Sequence, residues 1–131
     1  MNNGSKKVKD TPRKYDLEER LLEFAVRIIA TVEKLPDNKV CNHLGGQLLR
    51  SGTSPALNYG EAQSAESKRD FIHKFKVILK ELRETIICLT ILDRKSLLLD
   101  GPLVTENREL IAIFMKSIST AKINENNKSR L

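Results

Sequence analysis

No apolar run in the sequence approaches the roughly 20 residues that a membrane-crossing helix needs, so no membrane span is expected. The opening stretch, MNNGSKKVKDTPRK, is basic but no apolar segment follows it, which speaks against a secretory signal. Only two cysteines occur, Cys41 and Cys88, each in apolar surroundings. They are expected as buried thiols of a cytoplasmic protein, not as a disulfide scaffold. Strand-type alternation is missing over any useful length, which leaves an all-α chain. Enzyme signatures are missing too. There is no Gly-rich phosphate loop and no strand to precede one. There is no Glu-x-x-His pair of the kind that builds a di-iron bundle. Cys41 and His43, two apart on a helix, point in different directions and make a poor metal pair. Serine and cysteine nucleophiles lack a well-placed general base. The expectation is a non-enzyme with no catalytic residues, no metal and no cofactor.

What remains is an ordinary globular composition, 40% hydrophobic and 31% charged over 131 residues, enough for one domain with a real core. The net charge of +6 suggests nucleic acid until its location is examined. Residues 1–14 carry five basic side chains against one acid, and residues 122–131 carry three against one. Residues 15–121 hold equal numbers of both signs. The sequence thus divides into a disordered basic arm (1–14), a folded domain (15–121) and a disordered tail (122–131), and global charge says little about the folded surface.

Within the domain, Leu17, Leu21, Phe24, Ile28, Val32 and Leu35 recur every three or four positions, the stripe of an amphipathic helix that Pro36 ends. Leu22, Val26 and Ile29 form a second apolar line beside it. A long helix is predicted from an N-cap at Ser67, with Phe71, Phe75, Ile78, Leu82, Leu89 and Leu92 as one stripe and Ile72, Leu79 and Ile86 as another. Asp-Gly-Pro at 100–102 marks a turn, and a last helix is predicted from near Thr105, fraying after Ala121.

The stretch RSGTSPALNYGEA, Arg50 to Ala62, has loop-like composition but helical order. On a wheel of about 100° per residue, Leu44, Leu48, Ser51, Pro55, Tyr59 and Ala62 share one side. Gly45, Leu49, Gly52, Ala56 and Gly60 share the next, and His43, Gln47, Arg50, Ser54, Asn58 and Glu61 a third. One long helix bent near Pro55 is therefore predicted, with the line Gly52-x3-Ala56-x3-Gly60 allowing close approach of a neighbour. If this helix turns back near Glu66, antiparallel matching sets a buried Arg50 against Glu84, or Glu81, and Glu61 against Arg69 or His73.

These residues resemble a known family. Arg50, Ser51, Ser54, Asn58, Glu61 and Ala62, then Asp70 and Phe71, then Lys80, Glu81, Glu84 and Thr85 reproduce the pattern of the four-helix-bundle proteins named for the intervening sequences of 23S ribosomal RNA genes. Pro55 and Cys88 depart from it, at positions where an aliphatic and an aromatic residue are usual. The resemblance implies a bacterial protein with an antiparallel up-down four-helix bundle assembled into a ring, often a homopentamer. It implies no enzyme. It also implies kinship with the accessory proteins of diversity-generating retroelements, hence RNA, DNA or a protein such as a reverse transcriptase as partner.

Two surfaces follow. Arg69, His73, Lys76, Lys80 and Arg83 fall on one helix face, a stripe suited to phosphates. It has no interleaved aromatics for base stacking. The Arg69–His73 spacing is too short for the Arg-to-His motif of HEPN ribonucleases. Second, Leu22, Val26 and Ile29, with Ile72, Leu79 and Ile86, exceed what a lone bundle buries and are expected at subunit interfaces.

Overall fold

The computed structural model of the protein describes the backbone of residues 14–130 and the side chains of residues 17–127. Four helices run in order: α1 (Lys14–Glu33), α2 (Lys39–Gln63), α3 (Lys68–Arg94) and α4 (Pro102–Arg130). They form an all-α four-helix bundle. Packing is sequential, α1 on α2, α2 on α3 and α3 on α4, and α1 meets α4 over a much shorter stretch.

Local chemistry sets most helix ends. The first helix stops as the chain approaches Pro36. Asn38 caps α2 by accepting from the Cys41 N–H at 2.8 Å, and Ser67 caps α3 by accepting from the Asp70 N–H at 3.0 Å. At the end of α3, Leu97 N–H donates to the Leu92 carbonyl and Ser96 N–H to that of Asp93, with Ser96 at a φ of 60°. That is a Schellman closure made without glycine. Pro102 opens α4, where its missing N–H costs nothing.

The predicted stripes supply the core. Leu21, Phe24 and Ile28 of α1, Leu48 and Tyr59 of α2, Phe75, Ile78, Leu82, Leu89 and Leu92 of α3, and Leu110 and Phe114 of α4 are all buried. Helix α2 runs unbroken through Pro55, which is itself buried, so the glycine- and serine-rich stretch is helical as predicted. Cys41 and Cys88 are buried free thiols.

Three expectations need correction. Helix α4 starts at Pro102, not near Thr105, and continues to Arg130 through the 122–131 segment read as a tail. The polar residues after Ala121 carry no apolar stripe, so periodicity is silent there, and Pro102, which opens the helix, also fits the Asp-Gly-Pro turn. The predicted second stripe of α3 is not free: Ile72, Leu79 and Ile86 are half-buried, and Ile72 and Leu79 pack on the core. The exposed apolar residues of α3 are instead Ile87 at 60% and Ile91 at 42%. On α1, Leu22, Val26 and Ile29 are exposed, at 47, 57 and 40%. The basic arm lies outside the described residues, apart from Lys14, which opens α1.

Candidate nucleic-acid interface

The α2–α3 junction is where the sequence motif comes together. Arg50 donates through Nη2 to Glu84 Oε1 at 2.6 Å and through Nη1 to Glu81 Oε1 at 3.0 Å. Both predicted partners are thus engaged. Arg50 is not buried, however: 53% of its side chain is exposed. Helical spacing fixes which carboxylates Arg50 meets but not its depth, and a long side chain carries its charge out to water. The buried polar pair of this junction is one residue on. The Ser51 and Thr85 hydroxyls hydrogen-bond at 2.9 Å, and both residues are almost wholly enclosed.

Farther along, Glu61 pairs with Lys74 at 3.5 Å instead of with Arg69 or His73, which point in other directions round α3. Ser54 and Asn58 are half-buried on the same face of α2 and make no hydrogen bond to α3 among the described residues. Of the polar residues of this motif, Arg50, Glu81 and Glu84 form one cluster, Glu61 pairs separately with Lys74, and Ser54 and Asn58 join neither.

His43, Gln47, Arg50, Glu84 and Cys88 line a shallow hollow of about 410 Å³ beside Ser51. Its nucleophiles are quenched. Burial, and then the Glu84 charge, push the Cys88 thiol up, away from the reactive thiolate. Ser51 is tied to Thr85. Among the described residues no three His, Cys, Asp or Glu side chains converge as metal ligands would.

A different arrangement joins α1 to α4. Arg20 makes a two-pronged contact with Glu106, Nε to Oε2 at 3.0 Å and Nη2 to Oε1 at 2.7 Å, and reaches Glu109 at 3.1 Å. Arg27 grips Asp100 with two bonds of 2.8 Å. The sequence reading missed both, because pairs so far apart in the chain leave no periodic signal. It also missed Asn107, which is fully buried and donates to the Leu82 carbonyl at 3.1 Å.

The third helix carries the remaining charge. Arg69, His73, Lys76, Lys80 and Arg83 are all exposed, and among the described residues none of the five is held in an ion pair. Arg83 leans on the Met115 sulfur of α4 at 3.5 Å. Lys76 lies beside Lys122 of α4, and the proximity of this second ammonium lowers its pKa. Arg69, Ile72, His73, Lys76 and Glu125 surround a groove of about 300 Å³. The stripe therefore borders α4, which adds Lys122 beside Lys76 and one acid, Glu125, at the groove. Lys122 was assigned to the tail in the sequence reading, so its place here was not anticipated.

None of the helices is long and apolar enough to cross a membrane among the described residues. No curated protein matches the chain. A crystal structure of a protein of unknown function from the S23 ribosomal protein family of Bacteroides thetaiotaomicron VPI-5482 superposes with a TM-score of 0.72 at 31% identity, covering 81% of this chain and 97% of that one. Residues 13–118 match the family described as 23S rRNA-intervening sequence protein. That match spans most of α1 to α4, including the whole Arg50-to-Thr85 motif, and the chain belongs to the 23S rRNA-intervening sequence protein family.

Proposed function

We propose that the protein is a non-enzymatic, oligomeric interaction protein that binds nucleic-acid phosphate through the exposed stripe of α3. One observation carries this reading. Ion pairs consume Arg20, Arg27, Arg50 and Lys74 at the other helix junctions, whereas Arg69, His73, Lys76, Lys80 and Arg83 have no carboxylate partner among the described residues. Unpaired cations in a row, with Lys122 beside Lys76, suit a run of phosphates, whose contacts position a strand without reading its sequence. The absence of aromatics in the stripe argues against single-strand stacking and for a structured RNA or duplex DNA.

The test is a gel shift of the full chain with structured RNA and duplex DNA across a salt series. Replacing Lys76 and Lys80 by Glu should weaken binding by about tenfold or more and flatten the salt dependence. Replacing Lys6, Lys7 and Lys9 by Gln should do much less. If the two sets of substitutions exchange effects, the basic arm is the binding element and the stripe is not.

A protein-only scaffold or accessory factor, for example for a reverse transcriptase, is the second reading. The exposed apolar line Leu22, Val26 and Ile29 favours it, since it offers a surface for another chain. Retained assembly without any salt-sensitive shift would select this alternative.

A further inference from the structure

Four of the six aromatic residues of the chain, Tyr59, Phe71, Phe75 and Phe114, gather at one end of the bundle. Phe71 and Phe75 have ring centroids 4.2 Å apart, and Phe75 meets Phe114 edge-on at 4.9 Å. Beyond them a cleft of about 630 Å³ opens among all four helices. That size is within the usual range for small-molecule sites, roughly 300–1,000 Å³. Tyr59, Phe71 and Phe75 form its aromatic wall, with Leu17 of α1 and Ile113 of α4 beside them.

The polar groups of the cleft have a definite sign. Lys68 and Lys116 line it, both exposed, and among the described residues no lining side chain is acidic. Among the described residues neither lysine has an ion-pair partner. The Lys68 ammonium sits 5.5 Å from the centre of the half-buried Phe71 ring, so cation and aromatic surface are presented together. Neither lysine belongs to the α3 stripe, so this cleft is separate from the proposed phosphate-binding face.

We infer that the cleft binds an aromatic organic anion. Its flat ring packs in offset or edge-on contact with Phe71 and Phe75, and its acid group is held by Lys68 and Lys116. An apolar wall with two cations matches a ligand that is apolar at one end and negative at the other. A neutral ring would leave the lysines unused, and a bare phosphate would leave the aromatic wall unused.

Two dyes test this on the full-length protein: anilinonaphthalene sulfonate, and phenylnaphthylamine, which has the same ring system without the acid group. The sulfonate should bind with enhanced, blue-shifted emission. Replacing both Lys68 and Lys116 by Glu should weaken the sulfonate by about tenfold or more, with little change for the neutral dye. Ser117→Trp, which fills the cleft from α4, should remove both dyes. Circular dichroism melts check that the variants fold, and Lys68→Gln with Lys116→Gln serves if the charge reversal does not. The inference is overturned if the sulfonate does not bind, if its affinity is unchanged without the two lysines, or if both dyes survive Ser117→Trp. Survival would place them on the exposed apolar face of α1.

Discussion

A methyl group added to Gly52 would lie 2.7 Å from Cγ1 of Ile28 and 2.8 Å from its Cδ1 and Cγ2. Ile28 is fully buried and cannot swing aside, so α1 and α2 approach here more closely than any side chain at position 52 allows. Gly52→Ala should therefore cost about 1–3 kcal/mol. Gly60 lies on the same line two turns later with nothing within 4 Å of its missing Cβ. Gly60→Ala should instead stabilise by about 0.5–1 kcal/mol, because a helical glycine only adds backbone freedom to the unfolded chain. Urea denaturation of both variants checks the pair of signs. Equal losses would mean that close packing runs along the whole small-residue line.

That contrast shows how far periodicity reaches. The wheel placed Gly52, Ala56 and Gly60 together, but only the crossing with α1 decides which of them is pressed, and a crossing point is a tertiary fact. The same limit applies to Arg50, whose partners were legible and whose exposure was not. Helix existence was legible wherever an apolar stripe ran, including through Pro55. It failed at both ends of α4, where Pro102 was read as part of a turn and polar residues after Ala121 were read as a tail. The end of α3 gave no glycine to mark it, because Ser96 takes the left-handed conformation. Stripe membership of Arg69 to Arg83 was legible from spacing; the approach of Lys122 was not, since it depends on how α4 lies against α3.

Burial ranks the α2–α3 contacts differently from charge. Thr85 and Ser51 are enclosed, whereas Arg50 stands half in water, where ion pairs are screened and worth little. Thr85→Val strands the Ser51 hydroxyl and should cost about 1–2 kcal/mol. Arg50→Ala should lower the melting temperature less than Thr85→Val does. Thermal melts of the two single variants decide it. A larger loss for Arg50→Ala would mean that the guanidinium anchors the junction despite its exposure.

The Arg27–Asp100 pair predicts a pH dependence. The Arg27 hydrogen bonds, opposed by burial and aided by charge and by the Leu103 N–H at the start of α4, hold the Asp100 carboxyl below its ordinary value. Since the folded state binds the proton more weakly than the unfolded state, Asp100 stabilises the fold fully above the ordinary aspartate pKa. That contribution is lost as pH falls through the ordinary value toward the depressed one. Asp100→Asn should lower stability at neutral pH and narrow its gap to the parent in acid. Denaturation midpoints measured from neutral pH down to strong acid provide the check, and a gap that stays constant would remove Asp100 from the acid response.

Assembly is the expectation with most at stake for the proposed function. Leu22, Val26 and Ile29 lie at helical spacing on α1, and all three face solvent. Ile87 and Ile91 do the same on α3. Surfaces of this kind are costly in water unless another chain covers them. Identical copies can bury the two patches against each other reciprocally in a two-fold dimer, or by a heterologous contact that closes into a ring when the rotation permits, with a ring of five favoured by the family resemblance. The native mass by light scattering should be a multiple of the 14.9 kDa chain. Val26→Lys and Ile87→Lys should each lower that mass while leaving helix content intact, because neither side chain supports the core. Leu79→Lys should behave otherwise: Leu79 packs against the core, so the substitution should lower the melting temperature. A parent protein that runs as a single 14.9 kDa chain at micromolar concentration would leave both apolar patches without an occupant and would remove oligomerisation from the proposed function.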